Sequence, residues 1–342
     1  MNIKGIELTI PVGTGVNFVA KAYGPTDSKH RVIALHGWLD NANSFDLIAP
    51  VLAEAGIRVI CLDFIGHGLS VHKAQWTNLY YTDYITQVLD VAEALGWKKF
   101  TLLGHSMGAG ISGLLASIMP HMVEKVICLD FIGILSKEQD QVKAMQFAIQ
   151  NREKIINRKN HLYQSKQAIF DKLKTNNPFI ADEAAHSLLS RSVETVIGPH
   201  GEQLYKLRHD PRLVGPSIFT MRETEVIKVL EEIKCPVLLI WGTVSAQQFA
   251  FKRDWTSTME NRMKSVKNLK VLHVDGSHHF HMETTSFCPD LLDFIFSEAS
   301  LMKFNPDVNL TFPTPQPENH NQIAETANSE ELEKIKTINP KL

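Results

Sequence analysis

The stretch Phe100-Thr101-Leu102-Leu103-Gly104-His105-Ser106-Met107-Gly108-Ala109 decides how the rest of this chain is read. Residues 100–103 form a short apolar run of the kind a buried strand provides. Residues 104–108 follow at once as G-x-S-x-G, and helical periodicity takes over through 109–118. A serine in that setting sits on a sharp strand-to-helix turn whose backbone is strained, and the flanking glycines keep strand and helix from colliding with it. The turn projects the Ser106 hydroxyl above the carboxyl edge of a sheet. The five-residue pattern is common by itself; the strand before it and the helix after it give it weight.

Working outward, runs rich in Val, Ile and Leu recur at 32–35, 59–62, 126–129, 237–240 and 271–274, unbroken by polar residues apart from His273. That is the pattern of strands covered on both faces. Helical periods lie between several of them, such as Tyr84, Val88, Val91 and Leu95 closing on Gly96. Alternation of this kind predicts an α/β fold with a mainly parallel, doubly wound sheet. It is preceded by a β-hairpin that alternates at Ile6, Leu8 and Ile10, turns at Gly13-Thr14-Gly15 and resumes at Phe18 and Ala20. One interval is too long for a crossover. It has its own helical periodicity, with Val142, Met145, Ala148 and Ile149 in a charged background. It leaves from the carboxyl end of a strand, where ligands of open α/β sheets bind, and so reads as a helical lid. After Phe304 come Phe312-Pro313-Thr314-Pro315-Gln316-Pro317 and a polar, acidic stretch, too poor in apolar residues to offset its ordering entropy. The expected organisation is a core in two parts, 1–133 and 234–303, a lid at 134–233 and a disordered tail at 304–342.

Composition narrows the class. Of 342 residues, 44% are hydrophobic and 21% charged, which excludes disorder throughout. Lys plus Arg number 35 against 37 Asp plus Glu, a formal charge of −2 with no basic block, so no nucleic-acid partner is expected. Cys61, Cys128, Cys235 and Cys288 lie far apart with no CxxC pair and read as reduced core thiols. The opening Met1-Asn2-Ile3-Lys4-Gly5-Ile6-Glu7 is not the apolar stretch of a signal peptide, and no run is long enough for a transmembrane segment. A soluble intracellular protein is expected.

A serine hydroxyl attacks carbonyls slowly unless a neighbouring base removes its proton as the bond forms. The chain order for an elbow of this type is serine, acid, histidine. The last predicted strand runs into Asp275-Gly276-Ser277-His278-His279-Phe280-His281-Met282-Glu283, and a loop there can return an imidazole to the elbow. Either His278 or His279 could serve; His273 lies inside the strand. Three close histidines suggest a metal, but neither a cysteine nor a second distant histidine cluster completes a shell, so no metal and no cofactor are expected. The oxyanion needs two backbone N–H donors. One belongs to Met107, after the nucleophile. The other falls to Trp38 in His36-Gly37-Trp38-Leu39-Asp40, where Gly37 lets the backbone turn closely.

Together these residues resemble the α/β-hydrolase superfamily from about Asn17 to Phe296. His36-Gly37-Trp38 looks like its oxyanion loop. Asp63-Phe64-Ile65-Gly66-His67-Gly68-Leu69-Ser70 looks like its D-x-x-G-x-G-x-S loop, in which Asp63 and Ser70 shape the turn. Gly104 to Gly108 matches the elbow, and Gly276 to Glu283 the histidine loop. The family's G-H-x-x-H-[LM]-E register implies that His278 is the base, with Ser277 in place of a glycine. Within the superfamily the elbow, the H-x-x-H-M ending and the HGW-L-D-N run are most similar to the serine hydrolase-like proteins.

One position departs from the pattern. The acid is normally three residues past Gly242, where this chain has Ser245, and a serine cannot hold an imidazolium by charge. Relatives such as lipases take the acid from the end of the preceding strand, which implies Asp130; Asp254 is a further candidate. The resemblance implies a serine hydrolase acting on a small-molecule acyl ester or thioester, with Ser106, His278 and Asp130 catalytic and Trp38 and Met107 holding the oxyanion. The missing acid at Ser245 raises the alternative of an impaired fold that only binds. The ending Pro340-Lys341-Leu342 differs at one position from the peroxisomal S-K-L address. With the peroxisomal and perinuclear associations of the family, it implies an import receptor as partner and a cytoplasmic or peroxisomal location.

Overall fold

A computed structural model describes residues 3–72, 80–215, 217, 219–245 and 255–298. The tail predicted at 304–342, its Pro340-Lys341-Leu342 ending and Asp254 lie outside the described residues. The strands of the main sheet are β1 (Ile6–Pro11), β2 (Asn17–Tyr23), β3 (Arg31–Leu35), β4 (Arg58–Asp63), β5 (Phe100–His105), β6 (Val123–Leu129), β9 (Val237–Gly242) and β10 (Leu269–Val274). They stand in the order β1-β2-β4-β3-β5-β6-β9-β10. β1 and β2 form the predicted antiparallel hairpin, and β2 pairs antiparallel with β4. From β4 to β10 every pairing is parallel. Every residue of β5 and β9 is buried, which explains their unbroken apolar reading. The sheet is flanked by α1 (Ala49–Glu54), α2 (Asp83–Ala94), α3 (Met107–Ile118), α9 (Trp255–Ser265) and α10 (Cys288–Phe296). This is the α/β-hydrolase architecture that the motifs imply.

Register decides where the loops emerge. Leu35 at the end of β3 pairs with Gly104, His105 with Leu129, Leu129 with Ile240, and Val274 with Gly242. The loops carrying Trp38, Ser106, Asp130, Ser245 and His278 therefore leave neighbouring strands at the same edge. Chain order reverses between β3 and β5, and at such a switch point an open sheet has its crevice.

The interval between β6 and β9 holds α4 (Gln141–Gln150), α5 (Arg152–Ile156), α6 (Lys166–Asn176), α7 (Asp182–Ser192) and α8 (Glu223–Glu231). It also holds what the helical reading did not foresee, an antiparallel pair formed by β7 (Val193–Ile197) and β8 (Gln203–Leu207). Val193, Thr195 and Ile197 are β-branched at alternate positions, and Gly201 turns with φ +83°, so the local chemistry favours a hairpin there. The apolar period of α4 does not mark a buried face. Val142, Met145 and Ile149 are exposed and only Ala148 is buried.

The core is centred where α1 and α10 cover β3, β4, β6 and β9, with Phe45, Leu52, Val59, Leu103, Ile240 and Phe280 among its buried members. A smaller cluster, Ile180, Ala184, Ala185 and Leu188, receives Met282 from the loop after β10. Among the described residues no helix is long and apolar enough to cross a membrane.

Candidate active site

Ser106 caps α3 with φ +51° and ψ −110°, in the left-handed region that costs a side-chain-bearing residue of order 1–3 kcal/mol. The surroundings impose that geometry. A Cβ at Gly104 would lie 2.3 Å from the carbonyl carbon of Gly108, and one at Gly108 would lie 1.9 Å from the carbonyl oxygen of Leu35. Only glycine lets β3, β5 and α3 approach so closely. The Ser106 N–H donates to the Leu129 carbonyl (3.1 Å), which ties the elbow to the end of β6. Met107 opens α3, and the first N–H groups of a helix have no partner within it. The Tyr81 hydroxyl donates to the Met107 carbonyl (2.8 Å) and steadies that peptide.

Asp130 follows β6 directly, fully buried and also left-handed, with φ +57°. Its Oδ2 lies 2.6 Å from His278 Nδ1, and its Oδ1 accepts from the Gly242 N–H (2.8 Å). Ser245, at the family's usual acid position, donates its hydroxyl to Oδ2. Burial pushes the Asp130 carboxyl up to about 7, against the lowering effect of the Ser245 and Gly242 donors. His278 is held on a loop whose turn needs Gly276: φ there is +153°, and a Cβ would lie 2.5 Å from that of Phe280. The structure thus brings His278 to Asp130. His279 turns the other way, its Nε2 lying 3.4 Å from Asp40 Oδ2 and its Nδ1 3.2 Å from Asn177 Nδ2.

Trp38 lies in the turn closed by the Asp40 N–H on the Gly37 carbonyl (3.2 Å), and Leu39 takes φ +66°. His36 fixes the base of the loop. Its Nδ1 donates to the Gly37 carbonyl (2.7 Å), and its Nε2 accepts from the Phe64 N–H (3.2 Å). Burial lowers the pKa of His36, which suits a neutral ring in that role. Asp63 accepts from the N–H groups of Ala42 (2.7 Å) and Leu69 (2.8 Å), while Ser70 donates to the Asp63 carbonyl (2.7 Å). Both shape loops.

Sequence reasoning missed a second polar cluster beside the first. Asp40, His105 and His279 meet although they come from the loop after β3, the end of β5 and the loop after β10. His105 Nε2 lies 2.9 Å from the His278 carbonyl oxygen, and the two rings are 4.7 Å apart. His281 is fully buried against Ser44, with Nε2 2.8 Å from Oγ. The available signal was that Asp40 and His105 flank motif residues at strand ends; nothing in their spacing pairs them.

Residues 30–283 match the family model of the α/β hydrolase fold. A serine hydrolase-like protein of Dictyostelium discoideum is 64% identical over 332 residues, covering 94% of this chain and 92% of that protein. The chain belongs to the serine hydrolase-like family of the α/β hydrolases. Among solved structures, a hypothetical protein of Pseudomonas aeruginosa PAO1 is similar, with TM-score 0.72 and 31% identity, covering 85% of this chain and 98% of that one. The thioesterase domain from the curacin biosynthetic pathway shares the fold, with TM-score 0.68 and 21% identity over 86% and 99% of the two chains.

Proposed function

We propose that the protein is a serine hydrolase that cleaves a small-molecule carboxylic ester or thioester through an acyl-enzyme on Ser106. The observation that carries this reading is the 2.6 Å approach of His278 Nδ1 to Asp130 Oδ2. With its Nδ1 proton held by a carboxylate, an imidazole presents the Nε2 lone pair that a nucleophilic serine needs. Ser106 Oγ then attacks the carbonyl as its proton passes to His278 Nε2. The tetrahedral oxyanion accepts from the N–H groups of Met107 and Trp38. Collapse expels the alcohol or thiol, which takes the proton from His278, and water repeats the sequence to free the acid. Serine as nucleophile argues against routes through an alkyl-aspartate ester.

The alternative of an impaired binding fold rested on Ser245. It is weakened because Ser245 donates to a carboxylate that supplies the missing charge from β6. A fluorophosphonate probe should label the wild type covalently and leave Ser106→Ala unlabelled; an inert wild type would overturn the reading. We further propose that 134–233 acts as a lid, a reading supported by Asn177 and the Ile180 cluster reaching the histidine loop. We also propose that a peroxisomal import receptor reads Pro340-Lys341-Leu342.

A further inference from the structure

Asp40 in the loop after β3, His105 at the end of β5 and His279 in the loop after β10 point at one another. Asp40 Oδ2 lies 3.4 Å from His105 Nδ1 and 3.4 Å from His279 Nε2, and one ligand atom from each residue falls within 4.8 Å of the others. A point equidistant from three atoms so spaced lies no more than about 2.4 Å from each, within a few tenths of an ångström of zinc–nitrogen and zinc–oxygen bonds of about 2.0–2.2 Å.

The hydrogen bonding of His105 leaves this arrangement short of a cation. Its Nε2 faces the carbonyl oxygen of His278 and must carry the proton. A neutral ring then turns the bare lone pair of Nδ1 toward the Asp40 carboxylate. That atom is fully buried and has no hydrogen-bond partner. Two acceptors facing each other in a buried space repel, and a positive centre between them reverses the sign. An imidazole that donates its far N–H to a backbone carbonyl also has the support typical of metal-ligating histidines. Gly37 keeps the space open, since a Cβ on it would lie 2.6 Å from Asp40 Oδ2 and 2.9 Å from His105 Nδ1.

We propose that Asp40, His105 and His279 form a binding site for a borderline divalent transition cation of the zinc type, and that its occupancy restrains His278. Two imidazoles and a carboxylate suit such ions better than calcium or magnesium, which prefer all-oxygen shells. His279 enters the shell when its proton moves from Nε2 to Nδ1 and the Asn177 amide turns to accept it. The Asp40 side chain keeps 12% of its surface exposed, which leaves solvent for a fourth position. The coupling is direct. His105 holds the His278 carbonyl, and a dication beside that loop opposes the imidazolium that His278 must become during attack.

The binding claim goes beyond the hydrolase reading; the coupling rests on it. Cobalt(II) titrated into the full chain should produce the visible d–d bands of a low-coordinate nitrogen–oxygen site with one-to-one stoichiometry, and zinc should abolish them. Asp40→Asn and His279→Gln should lose the bands, and Asn177→Ala should weaken zinc binding roughly 10- to 100-fold. Circular dichroism confirms that each variant is folded. A wild type without bands, or folded Asp40→Asn and His279→Gln variants binding as the wild type does, overturns the site. Saturating zinc should slow fluorophosphonate labelling of the wild type severalfold and leave His279→Gln labelling unchanged; unaffected wild-type labelling overturns the coupling. A wild type that never labels counts against Ser106 as nucleophile, while the cobalt spectrum still decides the site.

Discussion

Asp130 carries a carboxylate into the interior, and that makes its titration informative. Burial raises its pKa to about 7, with donors from Ser245 and Gly242 opposing. Once protonated it donates to His278 Nδ1, the imidazole proton shifts to Nε2, and the lone pair facing the nucleophile is lost. Turnover should therefore fall as pH drops through about 7, which a pH profile of kcat/KM will show. Asp130→Asn mimics the protonated state at every pH and should lower kcat about ten-thousandfold. Stability should move the opposite way. A carboxyl with a folded pKa above its unfolded value contributes stability that is present below the unfolded pKa and lost as pH rises through the folded one. The asparagine variant should thus melt higher than the wild type at pH 8, and an unchanged kcat would exclude Asp130 as the acid.

At the scale of elements, α7 is fastened to the core by Arg191. Its Nε donates to Asp63 Oδ2 (2.8 Å), and its terminal nitrogens donate to both carboxylate oxygens of Glu7 on β1 (2.6 and 3.0 Å). Asn41 adds donors to the Leu188 carbonyl (3.0 Å) and the Ser192 hydroxyl (2.8 Å). Asp63 also holds the loops at Ala42 and Leu69, so one buried carboxylate joins three segments. Arg191→Met keeps the bulk and strands that charge with two backbone donors. It should cost about 3 kcal/mol or more in chemical denaturation; a loss under about 1 kcal/mol would mean that the ion pair is expendable. The hairpin of β7 and β8 that follows α7 was not legible because short amphipathic segments fit helix and strand alike, and its pairing partner is chosen only on folding.

For the molecule as a whole, the six parallel strands and the elbow were legible because each is local: a buried strand announces itself by composition, and Ser106 by its glycine neighbours. The contact of the proposed acid is not local, although the resemblance already implied Asp130. Asp130 and Ser245 are joined through the register that sets Leu129 beside Ile240, which no spacing rule reveals. The address proposed for the far end of the chain is a property of the whole molecule and is tested separately. A fluorescent reporter carrying the last dozen residues should gather in peroxisomes, and a diffuse cytosolic signal would sink that assignment.

The sequence by itself determined the strand and helix pattern of the main sheet, the strained serine turn and the histidine loop, because hydrophobic period and glycine placement act over a few residues. The residues by themselves left His278 and His279 open and the family register favoured His278; the tertiary structure sets His278 against Asp130 and His279 against Asp40. His278 and His279 are neighbours in the chain with the same chemistry. What separates them is the direction in which the loop after β10 turns each ring, and that is set by packing across the sheet edge.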